Sequence, residues 1–144
     1  HFPVYHSWKC KDLAEREKAL SWIVRYLDSD LPVMLTLPGP QHAVVAIGQL
    51  SATKRRVAVP TTKRLVTSDA WVGGLAINDD GPGPYLIMPR NVDEYNALES
   101  GPDSDRVPPK TLPGWWRSFE DAEGMIVPVP QEVSINAKHI DDIE

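Results

Sequence analysis

The chain lacks the features that mark several large protein classes. A single cysteine, Cys10, cannot form an internal disulfide bond, so nothing indicates an oxidising compartment, and a cytoplasmic location is slightly favoured. The longest apolar runs, "HAVVAIG" and "MIVPVP", are too short for a membrane-spanning helix. The net charge of -5 argues against a general nucleic-acid binder, and we interpret the basic residues 54–64 as a solvated hairpin face.

Spacings typical of cofactor sites are also missing. The four histidines, His1, His6, His42 and His139, do not show the spacing of zinc ligands. The glycine-containing stretches "GPGP" and "VGG" are not followed by the lysine of a phosphate-binding loop. We therefore expect neither a metal nor another cofactor.

The hydrophobic pattern predicts one helix followed by strands. Residues 13 to about 28–30 carry apolar side chains at helical spacing, and Asp12 with Glu15 resembles a capping box at the start. Short apolar runs bounded by turn residues predict the strands "PVMLTL", "HAVVAIGQL", "AWVGGLAIND", "YLIMP" and "GMIVPVP", with weaker candidates at "RRVAVP" and "KRLVTS". The expected fold is α+β: an N-terminal amphipathic helix packed on a mostly antiparallel, curled sheet of five or six strands.

The domain organisation follows from length and turn content. With 144 residues the chain is expected to form a single domain, and residues 91–114, rich in proline, glycine and charge, are predicted to be a surface excursion with one helical turn around "VDEYNALES". Pro128 and Pro130 predict that the last strand lies at a sheet edge or makes an irregular crossing. Because the chain begins with His1 and stops within an amphipathic stretch, we expect it to be a fragment of a longer protein.

One histidine and two carboxylates stand at strand ends. His42 opens the strand "HAVVAIGQL", and Asn78, Asp79 and Asp80 close the strand "AWVGGLAIND". If these strands are antiparallel neighbours, the imidazole and a carboxylate meet, and the carboxylate orients the ring as a general base. Two plainer interpretations stay open: a surface histidine, and a turn formed by "NDDGPGP".

The tryptophan pair in "GWWRSF" also has two interpretations. Trp115 and Trp116, with Phe119, either form a stacking platform for a sugar or peptide or anchor the excursion as a hydrophobic plug. The plug is the favoured interpretation.

The stretches "LDSDLPVMLTL", "HAVVAIG" and "INDDGPGPYLIMP" together resemble the β-rich, C-terminal half of papain-like cysteine peptidases, and in particular the bacterial peptidases that process bacteriocin leaders. The resemblance covers roughly residues 13–88. It implies a papain-like β lobe, a thiol hydrolase that cleaves peptide or isopeptide bonds, His42 as the base and Asp79 as the residue that orients it, with Asp80 as the fallback. The implied partner is a peptide or protein substrate.

Papain-like peptidases also use a nucleophilic cysteine, and Cys10 is the one cysteine of this sequence. Cys10 lies two residues before the predicted N-cap Asp12, where a helix N-terminus lowers a thiol pKa, but its neighbours in "HSWKCKDLAER" differ from the family pattern. We therefore expect the nucleophile on an upstream region or a second chain. A non-catalytic binding module and a transglutaminase-like acyl transferase are the alternatives.

Overall fold

The structure is a computed structural model that describes residues 2–8, 12–38, 42–51, 72–81, 83–107, 116 and 118–129. The described strands are β1 (Phe2–Ser7), β2 (Val33–Leu37), β3 (His42–Ser51), β4 (Val72–Asp79), β5 (Gly83–Pro89) and β6 (Gly124–Val129). The described helices are α1 (Leu13–Asp28) and α2 (Val92–Glu99), with short 3-10 turns at Ser104–Arg106 and Phe119–Asp121. Neither α1 nor α2 is long and apolar enough to cross a membrane.

The six strands form one open, antiparallel sheet in the order β1-β6-β2-β3-β4-β5. The predicted α+β class is confirmed at this level, and within the described residues the sheet does not close on itself. β1 was not predicted from the sequence. Among the described strands it pairs with β6 alone, with Phe2 opposite Val129 and Ser7 opposite Gly124.

Helix α1 lies where the sequence predicted it, from Leu13 to Asp28. The Asp12 carboxylate accepts the Glu15 N–H at 3.1 Å, which caps the first turn. The side chains that α1 buries are Ala19, Leu20, Ile23, Val24 and Tyr26. They pack with alternate residues of β2, β3, β4 and β6 in the main hydrophobic core, because successive strand residues point to opposite faces. Leu13, at the first helical position, is instead exposed.

The predicted edge position of the last strand is wrong. β6 lies in the sheet interior, between β1 and β2. Its pairing with β2 covers only Gly124–Ile126, so Pro128 lies beyond that ladder and removes no hydrogen bond from it. On the other side Pro128 faces Pro3 of β1. Pro130 is outside the described residues.

The helical turn predicted around "VDEYNALES" within the excursion 91–114 is present, but it is longer than predicted and partly buried. Val92–Glu99 forms a two-turn helix whose N-cap, Asn91, accepts the Glu94 N–H at 3.0 Å. Tyr95 is fully buried against Ile87 and Val107 in a second cluster, on the sheet face away from α1. The prolines and charges of this segment did not indicate the burial of Tyr95. Residues 108–115, "RRVAVP" and "KRLVTS" lie outside the described residues.

Candidate functional site

The first residue of β3 and the last residue of β4 meet at one end of the sheet. The two strands are antiparallel neighbours in which Ala46 faces Ile77. Counting outward in steps of two, His42 and Asp79 both fall on the face that carries α1. The pair is diagonal across the ladder, within reach of an imidazole and a carboxylate.

Asp79 is the centre of a three-donor arrangement. Its Oδ2 atom lies 2.9 Å from His42 Nε2 and accepts the Trp116 Nε1–H, also at 2.9 Å. Its Oδ1 atom accepts the Gly81 N–H at 2.9 Å. Because an ionised carboxylate only accepts hydrogen bonds, His42 Nε2 carries the proton. The lone pair of the neutral ring is therefore at Nδ1, on the opposite side of the imidazole.

The two acidic side chains differ in their surroundings. The Asp79 side chain has no exposed surface, the His42 side chain is 30% exposed and the Asp80 side chain is 92% exposed. Asp80 Oδ1 lies 3.9 Å from His42 Nδ1, beyond hydrogen-bond distance. Asp79 is thus the carboxylate that orients the ring, and the fallback Asp80 lies near the ring nitrogen that faces away from Asp79.

Burial and hydrogen bonding act in opposite directions on Asp79. Burial raises the pKa of the carboxyl group, since a charge is poorly solvated inside the protein. The hydrogen bonds from Trp116, His42 and Gly81, together with the His42 charge, outweigh burial and hold the pKa of Asp79 below its ordinary value. The buried carboxylate is therefore ionised at neutral pH.

The lowered pKa of Asp79 predicts an acid-dependent loss of stability. A depressed pKa in the folded state adds stability above the unfolded-state pKa, about 3.9, and this contribution is lost as the pH falls through the folded value. At pH 7 we expect urea denaturation to give a larger free energy of unfolding for the natural chain than for Asp79→Asn. This difference is expected to shrink below about pH 4. A difference that stays constant from pH 7 to pH 3 contradicts the assignment. Asp80→Asn is the control.

A metal ion fits this cluster poorly. Ligand atoms of His42, Asp79 and Asp80 lie within 4.8 Å of one another, and this is the one such group among the described residues. However, Asp79 Oδ2 already accepts two N–H groups, so a cation there must displace both. If Asp79 keeps its hydrogen bonds, only two ligand atoms of this group are available, His42 Nδ1 and Asp80 Oδ1. A zinc site ordinarily takes three or four protein ligands. We assign no metal role to the cluster.

The other predicted site residues have different outcomes. Cys10, Trp115 and the basic residues 54–64 lie outside the described residues. Phe119 is buried against Trp8, with ring centroids 5.7 Å apart, which agrees with a plug.

Asn78 points away from the His42–Asp79 pair, and its Oδ1 accepts the Tyr85 N–H at 3.1 Å. That bond supports a β-bulge in β5, where Tyr85 has a positive φ of 62°.

The sequence did not indicate the role of Trp116. Its side chain is 3% exposed, which agrees with a plug, but its N–H also binds the candidate catalytic carboxylate. A buried indole N–H ordinarily finds a partner, so a polar contact was foreseeable. Its partner was not, because Asp79 lies in β4, 37 positions away in the chain.

Comparisons of the chain with protein-family models, with curated proteins and with solved structures gave no match. The resemblance to papain-like peptidases therefore stays a prediction from the motif residues.

Proposed function

We propose that this chain is the β-rich half of a papain-like thiol hydrolase, in which His42 is the general base and Asp79 orients it. The observation that carries the proposal is the 2.9 Å contact of His42 Nε2 with a buried carboxylate. A carboxylate in this position fixes the tautomer and stabilises the imidazolium, as catalytic histidines require. The substrate class is a peptide or isopeptide amide, as the resemblance implies.

The proposed reaction uses both ring nitrogens. His42 Nδ1 takes the proton of a cysteine thiol, and the thiolate attacks the amide carbonyl carbon. The C–N bond breaks as the imidazolium returns its proton to the leaving amine, which leaves a thioester on the cysteine. Water, deprotonated by Nδ1, then hydrolyses the thioester and regenerates the thiol. Throughout, the proton on His42 Nε2 stays on that nitrogen and is donated in the hydrogen bond to Asp79.

The partial exposure of His42 supports this division of roles. Asp79 is sealed from solvent, whereas 30% of the His42 side chain is accessible, so reactants approach the ring and not the carboxylate. We propose that the cysteine comes from an upstream region of the same protein or from a second chain. Cys10 is the alternative within this chain, since in the sequence it lies two residues before Asp12, the N-cap of α1.

The test is alkylation of the full-length protein by iodoacetamide at pH 6, with mass spectrometry to identify the labelled cysteine. A cysteine paired with His42 is a thiolate at this pH, whereas one with an ordinary pKa near 8.5 is almost entirely protonated. We expect His42→Ala to slow labelling of one cysteine by about 100-fold. Asp28→Ala removes an exposed carboxylate that binds Gln49 near the other end of β3; it is the control and leaves the rate unchanged.

The same experiment separates the sources of the nucleophile. Loss of the fast-reacting cysteine in Cys10→Ser places the nucleophile in this chain, and its retention places it elsewhere. A fast-reacting cysteine whose labelling rate does not change in His42→Ala rules out the proposed pair. Transfer to an added primary amine instead of water distinguishes the transglutaminase-like alternative.

A binding module is the second candidate, and the open sheet favours it. β1 lies at one edge and pairs with β6 alone among the described strands, so its outer side has the geometry to add a peptide strand. Absence of any fast-reacting cysteine in the full-length protein favours this module over the hydrolase.

A further inference from the structure

We infer that Trp116 is a positioning residue of the His42–Asp79 pair, held in place by the short segment 118–121. The inference rests on the proposed function for its catalytic meaning, while the contacts themselves do not depend on it. It replaces the plug interpretation, in which only the size of the Trp116 ring matters.

Trp116 completes the set of contacts that fix the carboxylate plane. Oδ2 accepts from both His42 and Trp116 at 2.9 Å, and Oδ1 accepts from Gly81. With a donor on each oxygen, rotation of the carboxyl group breaks at least one hydrogen bond. Without the indole, the Gly81 N–H is the one remaining described donor besides His42 itself. Trp116 is therefore the described donor, besides His42, that holds Oδ2, the oxygen that the imidazole contacts.

The segment 118–121, hereafter the strap, ties Trp116 to the start of α1. Ser118 and Asp121 form a reciprocal capping box that fixes the turn of the strap. Phe119 packs on Trp8, and Glu120 Oε1 pairs with Arg16 Nη1 at 3.0 Å. The Arg16 and Glu120 side chains are 17% and 31% exposed, so water screens this ion pair only partly.

The chemistry of the indole distinguishes positioning from plugging. Phenylalanine keeps an aromatic ring in a hydrophobic site but has no N–H. A plug tolerates Trp116→Phe, whereas a positioning residue does not. The matched control is Phe119→Leu, which loosens the packing of the same strap but leaves the indole N–H on Asp79.

The direct readout is the tautomer of the neutral His42 ring, measured by long-range ¹⁵N–¹H NMR of the ¹⁵N-labelled chain. The chain has four histidines, and His42→Ala identifies the relevant signals. We expect almost pure Nε2–H tautomer in the natural chain and in Phe119→Leu, and a mixture of both tautomers in Trp116→Phe. An unchanged tautomer in Trp116→Phe, or the same change in both variants, overturns the inference.

A second measurement needs no substitution. If the indole N–H binds the ionised carboxylate, the Trp116 indole proton shifts with the titration of Asp79 and exchanges slowly with solvent. A resonance that stays constant through that titration overturns the inference even if Trp116→Phe does not fold.

Turnover connects the inference to the proposed function. In the full-length protein we expect Trp116→Phe to lower kcat about tenfold with KM unchanged, the size of effect typical for a residue that orients a catalytic group. The two hypotheses fail separately. If His42→Ala does not alter thiol reactivity the hydrolase is wrong, whereas the tautomer measurement still decides the role of Trp116.

Discussion

Asp79→Ala lowers the free energy of unfolding by about 3 kcal/mol at pH 7, measured by urea denaturation, because it removes a buried acceptor of three hydrogen bonds. The largest part comes from the Trp116 N–H, which is left buried without an acceptor at a cost of about 1–3 kcal/mol. The N–H groups of His42 and Gly81 contribute less to the lost free energy, because water can accept their hydrogen bonds. A loss of this size is a large fraction of the stability of a small domain.

The adjacent carboxylate provides the control for this prediction. The Asp80 side chain is 92% exposed and lies 3.9 Å from His42 Nδ1, so Asp80→Ala is expected to change the free energy of unfolding by less than about 0.5 kcal/mol. Equal effects of Asp79→Ala and Asp80→Ala contradict the three-donor arrangement. Both variants are compared at pH 7, where the lowered pKa keeps Asp79 ionised.

Gly74→Ala is the second substitution with a large expected effect, about 2–3 kcal/mol of lost stability by the same measurement. A Cβ atom at position 74 meets the Met88 carbonyl oxygen at 2.8 Å and the Pro89 Cα at 3.3 Å. Both neighbours are backbone atoms of β5, which pairs with β4 at this point. The methyl group fits only if the two strands separate.

Gly48→Ala is the matched control in the same sheet. A Cβ atom at position 48 has Ala76 Cβ as its nearest neighbour, at 3.8 Å, which is ordinary van der Waals contact. We expect Gly48→Ala to be within about 1 kcal/mol of the natural chain, because alanine also reduces the freedom of the unfolded state. A loss of stability in Gly48→Ala as large as that in Gly74→Ala contradicts the close approach of β4 and β5.

The main elements followed from local pattern. Helix α1 was predictable because its apolar residues recur at helical spacing and Asp12 supplies a cap. The strands β2, β3, β4 and β5 were predictable because turn residues bound each apolar run. β1 was not, since a strand of six residues with a proline has no clear pattern before its partner β6 is known.

The candidate site was predictable in part. The sequence pointed to His42 with Asp79 because both stand at strand ends, and an antiparallel arrangement brings such ends together. Strand position alone did not choose between Asp79 and Asp80, which are chemically identical neighbours; the family resemblance preferred Asp79, with Asp80 as the fallback. Burial and the contact with Trp116 distinguish them, and both depend on residues far away in the chain. The catalytic role of the pair stays a prediction.

By itself the sequence determined the α+β class, the position of α1 and the placement of an imidazole and an acidic pair at strand ends, since these depend on periodicity and turn chemistry over a few residues. The tertiary structure decided the interior position of β6, the burial of α2 and the contact of Trp116 with Asp79. These features depend on pairing and packing between segments that are distant in the chain. No local pattern encodes which distant segment supplies the partner.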